Sequence, residues 1–303
     1  MPHAFAGSAR AWSRDDVRRV LRVPGPSDDK RSRGVVALRT GSDAFPGAAV
    51  LGVEGAWRAG AGYVRYIGPR RPADLVLARR PETVTTDPAD AGAVRADAWV
   101  IGSGTDAAVR SDAETEALRL LLAGSDPVIV DAGALDLLPA TAPVIATPHE
   151  REFTRLRTTL GLPAIDAEDL RDPDARAHAT QRTAEALGGA VLLKGATTLV
   201  ADAGGVIAVN AGTPWLAAAG TGDVLGGVIG ALVAADRAAA GSTPLAELAA
   251  TAAWLHGRAG RHASAGSRPP GHPIVALDVA EALPPAVAAA IADDGDQTEE
   301  DPA

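Results

Sequence analysis

Cysteine is absent from the chain, which excludes a disulfide framework, a thiol nucleophile and a Cys-ligated zinc site, and fits a reducing cytosol. Aromatic residues make up only 3% of the sequence while 47% of it is hydrophobic, so the core has to be assembled from short aliphatic side chains at close spacing. Helices resting on a sheet suit such side chains. Positive charge is in deficit as well: 29 Lys and Arg face 38 Asp and Glu, a net charge of −9. That balance argues against nucleic-acid binding, which calls for a basic face. An anionic ligand must then be met by local donors. A long unbroken apolar run is also missing. Asn210, Pro214 and Asp223 interrupt the most apolar region, residues 210–235, well short of the ~20 residues that span a bilayer. The opening "MPHAFAGSARAWSRDD" lacks the apolar centre of a secretory signal. A cytoplasmic protein without membrane association is expected. The HExxH, GxSxG and GxxxxGK[ST] patterns do not occur, and "GSGTDA" lacks the final glycine of GxGxxG.

What is present is alternation. The runs "VVAL" (35–38), "YVRYI" (63–67), "AWVI" (98–101), "PVIVD" (127–131), "PVIAT" (143–147) and "AVLLK" (190–194) read as strands. Residues 47–59, 112–123, 176–187, 223–235 and 245–264 read as helices between and after them. "TTLVAD" and "VIAVN" around "AGG" read as a hairpin. Strand and helix in succession imply an α/β fold with a largely parallel sheet, whose ligands collect at the carboxyl ends of the strands. Within 303 residues, 30–292 reads as one domain. Residues 1–29 read as an N-terminal extension, and 293–303, acidic and without a hydrophobic face, as a disordered tail.

Five loops carry candidate chemistry. In "GTGD" (220–223) a helix begins beside two glycines, leaving backbone N–H groups and the positive end of the dipole open to an anion. Asp223 is either the cap of that helix or a carboxylate that accepts a proton from a substrate hydroxyl as the oxygen attacks phosphorus. "LLKGATT" places Lys194 and Gly195 at the end of a buried strand, as a phosphate contact or as an ordinary surface turn. In "TPHEREF", His149 either binds a polar substrate or caps the loop, and Glu152 could orient a hydrated magnesium ion. "GSDAFPGAAV" (41–50) and "GSGTD" (102–106) are further glycine loops at strand ends. Trp254 and His256 read as helix residues with a structural role.

The order of these loops carries more than any one of them. "GSDAFPGAA", "WVIGSGTD", "PVIVDAGAL", "TPHEREFTRL", "LLKGATTLVAD" and "NAGTPWLAAAGTGDVLGGVIGAL" follow one another. Over roughly residues 30–290 the chain resembles the ADP- or ATP-dependent NAD(P)H-hydrate dehydratases, carbohydrate-kinase-like members of the ribokinase fold. The block from Lys194 to Gly227 is its most specific part. The resemblance implies a ribokinase-like three-layer sandwich, its central parallel sheet flanked by helices. It also implies an activity, the dehydration of (S)-NAD(P)H hydrate back to the coenzyme with release of AMP and phosphate. ADP is the expected co-substrate and ATP the alternative, with Mg2+. Carried over by position, Ala48, Gly104, His149 and Asp223 match the residues around the hydrated nicotinamide nucleotide. Lys194, Gly195, Ala196, Thr197, Thr198 and Gly222 match those around the adenine nucleotide, and the Gly220–Thr221–Gly222 backbone would hold charge on the transferred group. Asp223 would be the catalytic base; no protein-only metal site is expected. A homotetramer, and an epimerase on a separate chain, are implied in the same way.

Three loops depart from the family pattern. The usual Gly-Gly-Ser reads "RTGS". Gly-Pro-Gly-x-Gly reads "GSGTD", with Ser103 for proline and Asp106 for glycine, and Thr-Pro-His-Pro-Gly-Glu reads "TPHERE", with Glu150 and Arg151. All lie on the coenzyme side, where Asp106 is expected to weaken binding of an anionic substrate. A hydroxyethylthiazole-type kinase on the same fold, or a nucleotide-binding sensor without turnover, are the competing readings; products distinguish the first and phosphate release the second.

Overall fold

In the computed structural model, which describes residues 9–265 and 271–292, the alternation resolves into three layers. The acidic tail expected at 293–303 lies outside the described residues. The strands are β1 (Ala9–Ala11), β2 (Val35–Arg39), β3 (Tyr63–Ile67), β4 (Val84–Thr86), β5 (Ala98–Ile101), β6 (Val128–Val130), β7 (Val144–Ala146), β8 (Ala190–Leu193), β9 (Thr198–Asp202) and β10 (Gly205–Val209). They form one sheet in the order β1-β10-β9-β8-β7-β6-β5-β2-β3-β4. Among the described residues every pairing is parallel except the two made by β9, the first strand of the expected hairpin.

The helices are α1 (Arg14–Val20), α2 (Gly47–Arg58), α3 (Arg70–Arg79), α4 (Asp112–Leu122), α5 (Glu150–Thr159), α6 (Pro173–Leu187), α7 (Thr221–Ala238), α8 (Leu245–Ala263), α9 (Ala276–Glu281) and α10 (Leu283–Ile291). Because successive strand residues point to opposite faces, each strand feeds two cores. Val36, Leu38, Val100, Ile129 and Leu192 meet the helices of one side, including α2, α7 and α8. Ala37, Trp99, Ile101, Val130 and Leu193 meet α4, α5 and α6 on the other. Strands buried on both faces have no polar alternation, which is why they read as short continuous apolar runs.

Small side chains let two helices touch backbone to backbone. A Cβ added at Gly227 of α7 would lie 2.0 Å from the carbonyl oxygen of Gly52 in α2, and one at Gly55 would lie 2.3 Å from that of Val224. The start of α7 is thereby fixed against α2.

Residues 9–20, read from sequence as part of an extension, belong to the sheet and the core. β1 pairs parallel with β10, Trp12 is 5% exposed, and Val17 is fully buried against α8 and its neighbours. The local signal was the capping box of Ser13 and Asp16, in which each side chain accepts from the other residue's backbone N–H. α3, β4, α9 and α10 also carry too few periodic residues to stand out in the sequence.

Candidate active site

Four neighbouring parallel strands, β5 to β8, end on the same edge, and the residues just past their ends converge there. Ser103 follows β5, Asp131 follows β6, Thr147 follows β7 and Lys194 follows β8. Asp131 is 4% exposed and lies at the centre. Its Oδ2 accepts from Ser103 Oγ at 2.9 Å, and its Oδ1 accepts from Thr147 Oγ1 at 2.8 Å and from Lys194 Nζ at 2.9 Å. Three donors satisfy a carboxylate that would otherwise be costly to bury. The residue after it, Ala132, holds φ +44°, a left-handed conformation that side chains other than glycine adopt rarely.

Lys194 points from this carboxylate toward the start of α7. A Cβ built on Gly222 would lie 3.6 Å from its Nζ, so glycine leaves that backbone open beside the ammonium. Gly220 is the N-cap of α7 with φ +88° and no side-chain hydrogen bond. A side chain there would also strike Leu51, 2.5 Å from the added Cβ. The first-turn N–H groups therefore have no side-chain cap, as anion binding at a helix start requires. Asp223 sits three residues inside the helix and does not serve as its cap. Thr221 anchors the turn by donating its hydroxyl to the carbonyls of Leu216 at 2.9 Å and Ala218 at 3.0 Å. His256, on α8, supports it from behind: its Nε2 meets the Thr221 carbonyl at 2.9 Å, so the ring is the neutral Nε2–H tautomer.

The charges follow from burial and proximity. Burial, then the negative charge of Asp131, pushes the Asp223 carboxyl up from 3.8 to about 6, with Lys194 opposing. At Lys194 burial disfavours the ammonium, but Asp131 beside it, with Glu152 and Asp223, more than offsets this and raises its pKa. Burial lowers His256 to about 4, so it stays neutral near pH 7.

Residues Lys194 to Thr198 form the short connection from β8 to the hairpin, with Gly195 and Ala196 exposed. Arg176 of α6 lies against this loop, donating to the carbonyls of Thr197 at 2.8 Å and Lys194 at 3.2 Å.

The other candidates gather across the edge. A Cβ on Gly104 would lie 2.3 Å from the Cβ of Ala48 and 3.1 Å from the Cα of Gly41, so the loops after β2 and β5 press together at the start of α2. Gly104 also has φ +66°. His149 caps a helix through one of its ring nitrogens. Its Nδ1 accepts from the N–H groups of Arg151 at 3.1 Å and Glu152 at 3.4 Å, capping α5. Glu152 returns the contact by accepting from the His149 N–H at 2.8 Å, and the same oxygen lies 4.0 Å from Lys194 Nζ. The side of the His149 ring that does not cap, Nε2, is 3.4 Å from the other Glu152 oxygen.

The departures have local reasons. Ser103, 2% exposed, supplies the donor that Asp131 Oδ2 needs. Asp106 is exposed and folds onto its own turn, accepting from the Ala108 N–H at 2.9 Å. Glu150 and Arg151 are exposed on the first turn of α5. Two cavities flank these loops. One of about 600 Å3 is lined by Thr105, Asp106, Asp136, Glu152 and Arg155, and the other, of about 610 Å3, lies between Phe45 and Val109.

Sequence reasoning missed Asp131 and Arg176. The acid at the end of "PVIVD" was the available signal, since a charge directly after a fully buried strand needs a partner. Arg176 had none, because nothing in a helix sequence shows which loop a side chain will meet.

Comparison with known proteins places this edge in context. The model of the carbohydrate-kinase-like NAD(P)H-hydrate dehydratase family matches residues 36–281. The chain is 42% identical over 228 residues to the bifunctional NAD(P)H-hydrate repair enzyme Nnr of Mycobacterium tuberculosis, which covers 72% of this chain and 45% of that protein. It is 35% identical over 255 residues to the ADP-dependent (S)-NAD(P)H-hydrate dehydratase of Neisseria meningitidis serogroup B, covering 79% of this chain and 80% of the other. The solved structure of the ADP/ATP-dependent NAD(P)H-hydrate dehydratase from Bacillus subtilis, co-crystallised with ATP/Mg2+, superposes with a TM-score of 0.80 at 26% identity, over 94% of this chain and 100% of that one. The chain spans about half the length of the bifunctional relatives it matches.

Proposed function

Because this chain belongs to the NAD(P)H-hydrate dehydratase family, we propose that it converts the (S)-hydrate of NADH or NADPH back to the coenzyme using ADP, which leaves as AMP and phosphate. The observation that carries the reading is the pairing of Asp223 with an uncapped helix start and the Lys194 ammonium on one strand edge.

Hydroxide leaves poorly, and the arrangement supplies a way to replace it. Asp223, ionised above about pH 6, accepts the proton of the ring hydroxyl as that oxygen attacks the terminal phosphorus of ADP. The bond from phosphorus to the bridging oxygen breaks, and AMP departs with the electron pair. The N–H groups of Gly220 and Gly222 and the Lys194 ammonium stabilise charge on the phosphoryl oxygens in flight, while the Thr221 N–H between them donates to the Ala218 carbonyl at 3.5 Å. The ring nitrogen then pushes its electron pair inward, phosphate leaves in place of hydroxide, and loss of a ring proton restores the double bond.

In this reading Lys194, Gly195, Ala196, Thr197, Thr198, Gly220, Thr221 and Gly222 bind the nucleotide, while Ala48, Gly104, His149 and Asp223 contact the hydrate. Magnesium bound with nucleotide phosphates takes one or two carboxylates and otherwise water and phosphate oxygens. Glu152 fits that need as a single carboxylate beside Lys194, and among the described residues no group of three or more His, Cys, Asp or Glu forms a site of its own. When bound, the ion would supply charge neutralisation on the phosphates. Among the described residues no helix is long and apolar enough to cross a membrane; we further infer a cytoplasmic location and a homo-oligomer, the latter to be checked by size-exclusion with light scattering.

The decisive assay mixes purified protein with the (S)-hydrate and either ADP or ATP. Recovery of reduced-coenzyme absorbance with stoichiometric AMP and phosphate is expected with ADP. A phosphorylated product that retains its phosphoryl group would identify a kinase instead, and nucleotide binding without phosphate release would identify a sensor.

A further inference from the structure

Of the arginines buried in the fold, Arg39 pairs with Glu114, whereas Arg157 and Arg176 take part in no ion pair among the described residues. A buried guanidinium without a counter-charge in contact is expensive and calls for a reason. Arg157 has a structural one. It donates to the Ala179 carbonyl and the Thr183 hydroxyl of α6 and to the Pro163 carbonyl, stapling α5 to its neighbours.

Arg176, 9% exposed, spends its donors differently. Nη1 and Nη2 reach the carbonyls of Thr197 and Lys194, the two ends of one short loop, and Nε is buried with no acceptor among the described residues. The contact is close enough that a Cβ on Gly195 would lie 2.4 Å from Nη2. A trans peptide unit is planar, with its C=O and N–H pointing in opposite directions. Turning the Lys194 and Thr197 carbonyls inward onto the guanidinium therefore turns the N–H groups of Gly195 and Thr198 away from it. The loop thus has the Gly195 and Thr198 amides turned away from the guanidinium and a buried positive charge beneath, which burial disfavours and Glu150 offsets only at a distance, with the Lys194 ammonium at one end.

We propose that Arg176 is the positioning residue of the nucleotide loop, holding its amides outward and lending its charge, so that the anionic phosphates of ADP add to the counter-charge that Glu150 gives only at a distance. The proposal rests on the reading of residues 194–198 as the nucleotide loop given above. Arg176 acts through the loop and touches no reacting atom.

The test is calorimetric titration of ADP into the full chain, with Arg176→Met, Arg176→Lys and, as control, Arg157→Met, each with a melting temperature. Arg176→Met is expected to weaken ADP binding about tenfold or more, the scale of charge-assisted hydrogen bonds to a loop. In turnover it raises KM for ADP while kcat at saturating nucleotide stays near wild type. Arg176→Lys, which keeps the charge but not the fork, recovers part of the affinity. Arg157→Met lowers the melting temperature and leaves ADP affinity within about twofold. Wild-type affinity in a folded Arg176→Met overturns the proposal; should that variant not fold, unchanged affinity in Arg176→Lys does so. A wild-type chain that binds no ADP overturns the underlying nucleotide reading, a separate and recognisable failure.

Discussion

The ammonium of Lys194 and the carboxylate of Asp131 lie 2.9 Å apart although 63 positions separate them in the chain. They meet because β6 and β8 flank β7 and all three strands end on the same edge. Asp131 therefore sets where the cation stands and, through its charge, how readily Asp223 ionises.

Replacing Asp131 with Asn removes a negative charge that, after burial, helps hold the Asp223 pKa up, and releases Lys194 to act on Asp223. Both changes lower the Asp223 pKa. The acidic limb of kcat/KM, expected near pH 6 in the wild type, should move down by up to about one pH unit while kcat falls. A limb that stays in place or moves up would refute the coupling.

Asp223→Asn should reduce turnover by roughly 10²–10⁴-fold, the usual worth of a positioned general base. ADP affinity by calorimetry should stay near wild type, because the helix start and Lys194 are untouched. Near-normal turnover would remove Asp223 from the mechanism.

The same variant makes a stability prediction of opposite sign. The folded-state pKa of Asp223, about 6, lies above its ordinary 3.8, so folding favours the protonated form. The stabilisation from that proton is complete below pH 3.8 and disappears as pH rises through about 6. Ionised Asp223 thus costs about 3 kcal/mol at pH 8, and Asn should raise the melting temperature there. The difference should vanish at the acidic end of the range, as thermal denaturation at several pH values would reveal.

Gly104→Ala tests the coenzyme side alone. The added methyl would meet Ala48 Cβ at 2.3 Å in a backbone with φ +66°, forcing the loops after β2 and β5 apart. Overpacking with strain of this kind costs about 1–3 kcal/mol. KM for the hydrate should rise with ADP affinity unchanged; an unaltered KM would take Gly104 out of the substrate site.

The sheet and the principal helices were legible in the sequence because their signals are local. Strands covered on both faces leave short apolar runs, and the long, strongly apolar α7 and α8 keep their period over 18 and 19 residues. The Gly-Thr-Gly-Asp turn into a helix was equally legible, since its glycines and acid stand in consecutive residues, whereas the sequence left open whether Asp223 caps that helix. β1 and α1 were harder to see: a three-residue strand has almost no pattern of its own and exists only because β10 offers an edge.

What the sequence determined by itself was the series of strand-end loops, the place of Asp223 in one of them, and through their order the family. Tertiary structure alone decided which loops touch. Ser103, Asp131, Thr147 and Lys194 become one hydrogen-bonded group only when four strands lie side by side, and Arg176 finds its loop 18 and 21 residues away only after α6 packs on the sheet. A turn depends on neighbouring dihedrals and can be read in place, whereas a buried charge depends on partners that strand order brings to it.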